Sequence, residues 1–292
     1  MLELTFILLQ YMISAKAGFV NYVDGQTSVQ LHQQVIAGAT VDTGTQGHAE
    51  LLLTPGSFLR VGSDSKVMFD SVELNRIAIH LVSGNALVEV TEIDKHAPIR
   101  VTAGSLPTII ASRGMYRFSP GAVSVIEGKI RIAGAHKSAT KGHQITSTAD
   151  GYTASTFVTT SNDDLDDWSR NRSAALANAN AMAYKDSSAL TFSSVSYYPY
   201  SGIYSNRSSW LYSSLLGGFT FIPRAGYRSY YGYTFVPVSS FAGPFAGRPF
   251  GVPTRPVSSG GTTSRPRPIG GSVGGVHRPA GGHGLGGHGG HR

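Results

Sequence analysis

Four histidines near the glycine-rich end of the chain are the side chains whose type best suits metal chemistry. His277, His283, His288 and His291 could gather Zn²⁺, Cu²⁺ or Ni²⁺ through their imidazole nitrogens. Their spacing matches neither a zinc finger nor an H-E-x-x-H helix, which hold their ligands at fixed separations. We therefore predict no metal site, and His283, His288 and His291 are the candidates if metal does bind.

Acidic residues crowd into one short segment, residues 163–167, which holds four aspartates. This segment lacks the glycine and the terminal glutamate of an EF-hand loop, and the first turn of a helix explains it better, because the helix dipole favours negative charge there. The chain contains no cysteine, which excludes thiol catalysis, thiolate metal sites and disulfides. It also has no G-x-S-x-G string and no Walker motif. We expect no catalytic residues and no cofactor, and therefore not an enzyme.

The charges divide the chain into two parts. Residues 1–186 carry all 17 acidic residues and 15 of the 24 basic ones, whereas residues 187–292 carry nine arginines and no acid. Residues 241–292 are rich in Gly and Pro, a composition typical of disorder, and hold Arg265 and Arg267. We predict a cationic, disordered tail that binds an anionic partner such as polysaccharide or lipid headgroups.

The first 17 residues resemble a secretory signal peptide. An apolar run up to Ile13 is too short to span a bilayer, and Ala15-Lys16-Ala17 has the A-x-A form of a cleavage site. No basic residue precedes the run, which a start codon placed too far downstream would explain. We expect export to the periplasm or the cell exterior, and this makes nucleic acid an unexpected partner.

Residues 18–150 show the period-two alternation of apolar and polar side chains that is typical of β-strands. Turn strings such as Pro55-Gly56 separate the short runs, and no helical pattern lies between them. We predict an all-β sandwich or jelly roll of about a dozen strands. The polar residues within the runs, Glu50 and Glu89 among them, are expected on faces in contact with water.

Several short strings within this stretch occur in an order found in one family. They are Val41-Asp42-Thr43-Gly44, Ala49-Glu50-Leu51-Leu52-Leu53, Gly56-Ser57-Phe58-Leu59-Arg60-Val61-Gly62, Leu81-Val82-Ser83-Gly84 and Val125-Ile126-Glu127-Gly128. Together they resemble the FecR-type domain, the extracytoplasmic β-domain of FecR-like proteins. The resemblance implies a non-catalytic module for binding or sensing in the cell envelope. The anti-sigma helices and the membrane span of FecR regulators have no counterpart here, so it does not imply anti-sigma activity.

One amphipathic helix is predicted over residues 160–185. Ser161 or Asn162 could cap it, and apolar residues from Leu165 to Ala183 recur every three or four positions. Trp168 is predicted to anchor the helix to the β-domain. The polar side of the helix is expected to hold Arg170, Arg172 and Asn178.

Residues 187–240 are rich in Tyr and Phe. In one interpretation they form a surface for a protein or glycan partner, with Trp210, Tyr227, Tyr230 and Tyr231 as the contact residues. In the alternative they form strands that pack onto the β-domain, since aromatic side chains are usually buried where they can be.

The sequence thus favours a non-enzymatic, exported FecR-type protein that binds or senses a partner in the envelope and contributes to signalling. Two alternatives remain open at this point. One is a structural surface protein whose aromatic and glycine-rich parts self-associate, and the other is a glycan-binding module.

Overall fold

The computed structural model describes residues 16–158, 163–189 and 208–241, which form nineteen strands and two helices. The strands before the first helix are β1 (Phe19–Asp24), β2 (Thr40–Asp42), β3 (His48–Leu52), β4 (Phe58–Val61), β5 (Lys66–Ser71), β6 (Ala78–Ser83), β7 (Ala86–Val90), β8 (Arg100–Ala103), β9 (Leu106–Ile110), β10 (Gly114–Ser119), β11 (Ala122–Glu127), β12 (Lys129–Ile132), β13 (Ser138–Thr140), β14 (His143–Thr148) and β15 (Gly151–Thr156). The elements that follow are α1 (Asp164–Ala189), β16 (Ser209–Ser213), β17 (Gly218–Ile222), β18 (Tyr227–Arg228), β19 (Thr234–Phe235) and α2 (Val238–Phe241).

The first fifteen strands form two sheets. The eight-stranded sheet has the order β1-β3-β4-β7-β10-β11-β14-β15, and the seven-stranded sheet has the order β13-β12-β9-β8-β6-β5-β2. Neighbouring strands are antiparallel except β6 and β8, which are parallel because β7 lies between them in the chain but belongs to the other sheet. The prediction of an all-β fold is confirmed, with fifteen strands in the two sheets rather than about a dozen.

The main hydrophobic core lies between the two sheets. Side chains alternate between the faces of each strand, so every second residue points inward. Val61 and Val88 face the core from the eight-stranded sheet, and Phe69 and Val101 face it from the seven-stranded sheet. These four residues are almost completely buried. The alternation read from the sequence therefore identifies the inner face of each sheet.

The outer faces of the two sheets differ in their exposure to water. Arg100 and Arg131 on the seven-stranded sheet are exposed, as the alternation predicts. On the eight-stranded sheet Glu50 and Glu89 are buried, so the prediction that they face water is wrong. The reason is a third layer, because α1 and the residues after it pack over the middle of this sheet.

This third layer has an aromatic cluster of its own. Phe58 on β4 packs with Trp210 on β16 and with Phe221 on β17, at ring-centroid distances of 5.4 and 6.0 Å. Phe19 and Phe219 make a further edge-to-face contact at 5.6 Å. The described part of the aromatic segment is therefore packed onto the β-domain, in agreement with the second interpretation of its composition.

Helix α1 is capped by Asp163. The Asp163 carboxylate accepts a hydrogen bond of 3.0 Å from the backbone N–H of Asp166, which is the geometry of an N-cap. The expected caps, Ser161 and Asn162, lie outside the described residues. Asp164, Asp166 and Asp167 stand in the first turn, where the dipole favours them. Across the described ranges, no helix is long and apolar enough to cross a membrane.

The face that α1 buries is more polar than the sequence suggested. Its buried residues recur every three or four positions, but most are polar or small: Leu165, Asp166, Ser169, Arg172, Ser173, Leu176, Ala177, Ala179 and Asn180. Trp168 is only half-buried, and Met182 is exposed. Arg172 was expected on the polar side and is instead buried. A stripe of apolar residues alone could not identify this face, because the sheet offers it charged and polar partners.

Asn180 connects α1 to the two short strand pairs. Its side-chain amide donates to the backbone carbonyls of Phe221 and Val236, at 3.1 and 3.2 Å, and its carbonyl oxygen accepts from the N–H of Val236 at 2.6 Å. The side chain is fully buried. One residue thus provides hydrogen-bond partners for three backbone groups in the third layer.

We expect Asn180→Ala to lower the free energy of unfolding by about 2 kcal/mol, because it leaves buried backbone groups without partners. Asn178→Ala is the matched control, since Asn178 is exposed on the same helix and its loss should cost less than about 0.5 kcal/mol. Urea titration of both variants measures the difference. Equal losses would show that the Asn180 hydrogen bonds do not contribute.

Candidate functional site: a buried charge cluster

Four charged side chains meet between the eight-stranded sheet and α1, and we call them the charge cluster. Glu50 on β3, Arg60 on β4 and Glu89 on β7 point from three adjacent strands toward the helix, and Arg172 on α1 reaches them. Glu50 and Arg60 lie directly opposite each other in the antiparallel ladder. The cluster therefore follows from strand register together with the position of one helical residue.

The ion pairs within the cluster are short. Arg60 Nε lies 3.0 Å from one Glu50 carboxylate oxygen, and its Nη1 lies 2.8 Å from Glu89. Arg172 Nη2 lies 2.9 Å from the other Glu50 oxygen. Glu50 and Arg60 are 0% exposed, and the other two are also buried. Two cations and two anions are thus removed from water together, so that the cluster has no net charge.

Neutral side chains add hydrogen bonds to the cluster, although Arg60 Nη2 and Arg172 Nε are buried without a hydrogen-bond partner among the described residues. Asn21 donates to Glu50 at 2.9 Å from a position where the β1–β3 register shifts. Ser169 accepts from Arg60 at 2.9 Å, and the hydroxyl of Tyr227 donates to Glu89 at 2.8 Å. The ring of Tyr22 lies under the Arg172 guanidinium at 4.0 Å, which is cation–π geometry.

The surroundings shift the pKa values of the cluster strongly. Burial by itself would raise the pKa of Glu50, but Arg172 and Arg60 outweigh burial and lower that pKa to about 2. Burial would lower the pKa of Arg60, and Glu89 and Glu50 raise it instead. Burial and the adjacent Glu89 carboxylate both raise the pKa of Tyr227. The glutamate, the arginine and the tyrosine hydroxyl therefore keep their ordinary charge states at neutral pH.

This arrangement is suited to docking rather than to acid–base catalysis. A carboxyl group that acts as a general acid near neutral pH needs a raised pKa and access to a substrate. Glu50 has a lowered pKa and no exposed surface. Buried charges that pair with one another instead favour the geometry in which each faces an opposite charge. The charge cluster therefore fixes the position of α1 on the sheet.

Two glycines let the third layer approach the sheet closely. A Cβ atom at Gly62 would lie 3.1 Å from the side chain of Leu165 on α1. At Gly56, which has a φ of +80°, it would lie 2.7 Å from the ring of Phe221. Both glycines flank the string that contains Arg60, so one short motif provides the charge and the space on either side of it.

A second ionic contact holds the start of α1. Arg117 on β10 pairs with Asp163 and with Asp166, the latter at 2.9 Å. Burial and the neighbouring Asp163 raise the pKa of Asp166 to about 6, although Arg117 opposes this rise. The pKa of Asp163 is lowered, because hydrogen bonds from Arg117 and Asp166 outweigh the effect of burial. Arg117 thus fastens the helix cap to the sheet, about two and a half turns before Arg172 of the charge cluster.

Trp168 lies beside this contact. Its ring stacks on His48 with a centroid distance of 4.8 Å, and the His48 Nε2 atom is 2.9 Å from Asp164. The structure therefore places the expected anchor at the edge of the helix interface. The centre of that interface is occupied by Arg172 and its neighbours.

The predicted partner-binding residues fall into three groups. Trp210 is only 5% exposed and packs in the aromatic cluster, and Tyr227 bonds to Glu89. Tyr230 and Tyr231 are half-buried and contact each other edge to face, with Arg170 near the Tyr231 ring. The remaining candidates lie outside the described residues: Arg265, Arg267, His283, His288 and His291. Within the described ranges, no group of three or more His, Asp or Glu side chains could hold a metal ion.

None of the four residues of the charge cluster was among the site residues predicted from the sequence. A clue was present, because Arg60 is the only charged residue in an otherwise apolar strand, Phe58–Val61. Glu50 and Arg172 gave no such clue, since each also fits a solvent-exposed position of an amphipathic element. Only the packing of α1 over the sheet distinguishes the two situations.

Among known proteins, one family matches part of this chain. The model of the family described as FecR protein matches residues 39–131, which run from β2 through most of β12. No curated protein matches the chain. Two crystal structures of a "putative anti-sigma factor" from Parabacteroides distasonis, at 2.50 and 1.65 Å resolution, are each 15% identical to it with a TM-score of 0.34. Each alignment covers 40% of this chain and 59% of the other, so the chain spans about three fifths of their length.

We expect Arg60→Met to lower the free energy of unfolding by about 3–5 kcal/mol, because it leaves two buried carboxylates without their shared cation. Lys66→Met is the control, since Lys66 pairs with Asp42 at 2.8 Å on the surface and should contribute less than about 1 kcal/mol. Chemical denaturation of both variants gives the comparison. Similar losses in the two would mean that the charge cluster adds no more than a surface ion pair.

Acid should weaken the docking of α1 through Glu50. Its folded-state pKa of about 2 lies below the ordinary value of 4.5, so its contribution is complete above pH 4.5 and is lost as the pH falls toward 2. The contribution corresponds to about 3 kcal/mol. Glu50→Gln should be less stable at pH 7 and lose less stability between pH 4.5 and 2. Parallel curves of unfolding free energy against pH for the two proteins would rule out this role of Glu50.

Proposed function

We propose that this chain, which carries a FecR-type domain over residues 39–131, is an exported and non-enzymatic module that binds or senses a partner in the cell envelope. The observation that carries the proposal is the match of the FecR family model to the β-sandwich. The resemblance implies an extracytoplasmic β-domain used in sensing and signalling, and residues 1–17, which resemble a signal peptide, agree with export.

The burial of charged residues from the family motif supports a non-enzymatic role. Glu50 and Arg60 belong to the motif strings, and both are buried beneath α1. A substrate could not reach them without displacing the helix and breaking the pairs that Arg172 and Arg60 make with Glu50. The motif residues of the domain thus support docking of the helix, and the surfaces left for a partner are the outer ones.

The C-terminal part of the chain is the proposed contact with that partner. Strands β16 and β17 are held against the domain by Asn21, which exchanges two hydrogen bonds with the backbone of Phe219. Beyond the described residues, the sequence continues with 51 residues that include six arginines and no acid. Such a segment would be attracted to anionic polysaccharide or lipid headgroups, with about 1 kcal/mol per arginine near an anionic membrane.

Two measurements test the proposal. Cell fractionation should place the protein in the periplasmic or secreted fraction, and affinity capture from an envelope extract should retain a partner that is lost when residues 241–292 are removed. Recovery of the protein only in the cytosol would contradict the proposal. Capture that is unchanged by the truncation would contradict the role of the tail while leaving the envelope location intact.

A further inference from the structure

The outer face of the seven-stranded sheet has a concentration of positive charge that the fold does not use. We define the basic face as the outward side of β6, β8, β9, β12 and β13. Arg100 on β8, together with Lys129 and Arg131 on β12, projects from it, and all three side chains are exposed. Within the described part of the chain, no other element packs over these strands.

Strand register brings these cations close to one another. Arg131 and Arg100 both lie opposite Ile109 on β9, so they flank this residue from the two neighbouring strands. Strands are about 4.8 Å apart, which separates the two Cα atoms by roughly 10 Å. Lys129 stands two residues from Arg131 on the same side of β12, roughly 7 Å away. A single extended ligand could contact all three.

The basic face has no matching negative charge. The strands β6, β8, β9, β12 and β13 contain no acidic residue. Lys66 on the neighbouring strand β5 does have an ion-pair partner, Asp42. In the charge cluster, by contrast, each arginine is matched by a carboxylate. Like charges that face each other across one intervening strand repel and do not stabilise the sheet, so the stability of the fold does not account for them.

We propose that the basic face binds a carboxylated polysaccharide. Arginine forms paired hydrogen bonds with a carboxylate, and two arginines at this spacing could each hold one acidic group of the same chain. The hydroxyls of Thr102 and Ser138 lie on the same side and could bond to sugar hydroxyls. Ile109 between the arginines provides apolar surface for the C–H groups of a sugar ring.

Other anionic partners fit the basic face less well. Its strands carry no Phe, Tyr or Trp, on which the bases of a single-stranded nucleic acid would stack. Of the large apolar side chains that are strongly exposed in the described residues, only Val82 lies on these strands. These strands therefore offer no group of apolar side chains that could insert into a bilayer. The C-terminal tail of the chain is itself cationic and would be repelled.

Only the biological setting of this inference rests on the proposed function, since an exported protein would meet such polymers in the envelope. The binding itself is a property of the purified chain. Its failure would leave fractionation results unaffected, and a cytosolic location would leave the binding result unaffected. The two proposals can therefore fail independently.

The test compares two full-length triple variants that lose the same charge. One is Arg100→Gln, Lys129→Gln and Arg131→Gln, and the control replaces three exposed lysines elsewhere with glutamine: Lys16, Lys95 and Lys185. Binding to polygalacturonate is measured by calorimetry at several salt concentrations, with a neutral glucan, duplex DNA and anionic lipid vesicles as further probes. Circular dichroism and thermal unfolding verify that both variants are folded.

We expect the basic-face variant to bind polygalacturonate about tenfold more weakly than the natural protein, which corresponds to three exposed ion pairs. Its affinity should depend less on salt, because fewer charges are engaged. The control should stay within about twofold. Equal weakening in both variants, or unchanged binding by the basic-face variant, would overturn the proposal. Preferential loss of DNA or vesicle binding would overturn the choice of polysaccharide.

Discussion

The structure depends on the neutralisation of one arginine that has no contact with water. Arg60 sits in the middle of the eight-stranded sheet, and its guanidinium is fully buried. An unpaired buried charge would cost several kcal/mol, so Glu50 and Glu89 must face it from both neighbouring strands. The second oxygen of Glu50 accepts from Asn21 on β1 and pairs with Arg172 of α1. The position of the helix follows from this sequence of requirements.

Apolar and polar contacts contribute in different ways to the attachment of the third layer. The aromatic cluster around Phe58, Trp210 and Phe221 removes large apolar surfaces from water and thereby stabilises the attachment of the layer. This hydrophobic contribution depends little on the exact orientation of the side chains. The buried asparagines Asn21 and Asn180 and the charge cluster do have directionality, because their hydrogen bonds are satisfied in only one arrangement. The hydrophobic contacts hold the layer on, and the polar contacts determine where it lies.

The same domain uses arginine in two opposite ways. In the charge cluster, each guanidinium is neutralised and serves the architecture. On the basic face, Arg100 and Arg131 are exposed on strands without acidic residues, which leaves their hydrogen-bonding capacity free for a ligand. The β-sandwich thus has one outer face covered by α1 and the residues after it, and one that no other described element covers. This asymmetry separates the structural role of the first sheet from the binding role proposed for the second.

The sequence by itself determined the all-β class, the inner face of each strand and the existence of α1, because alternation and helix capping are local properties of the chain. It also showed the order of strings that resembles the FecR-type domain. The buried face of α1 and the charge cluster were decided by tertiary structure. Glu50 and Arg172 are separated by 122 residues, and a polar residue in an amphipathic element looks the same whether it faces water or a charged partner. Only the packing of one element over another decides between the two, since burial is a property of the whole fold.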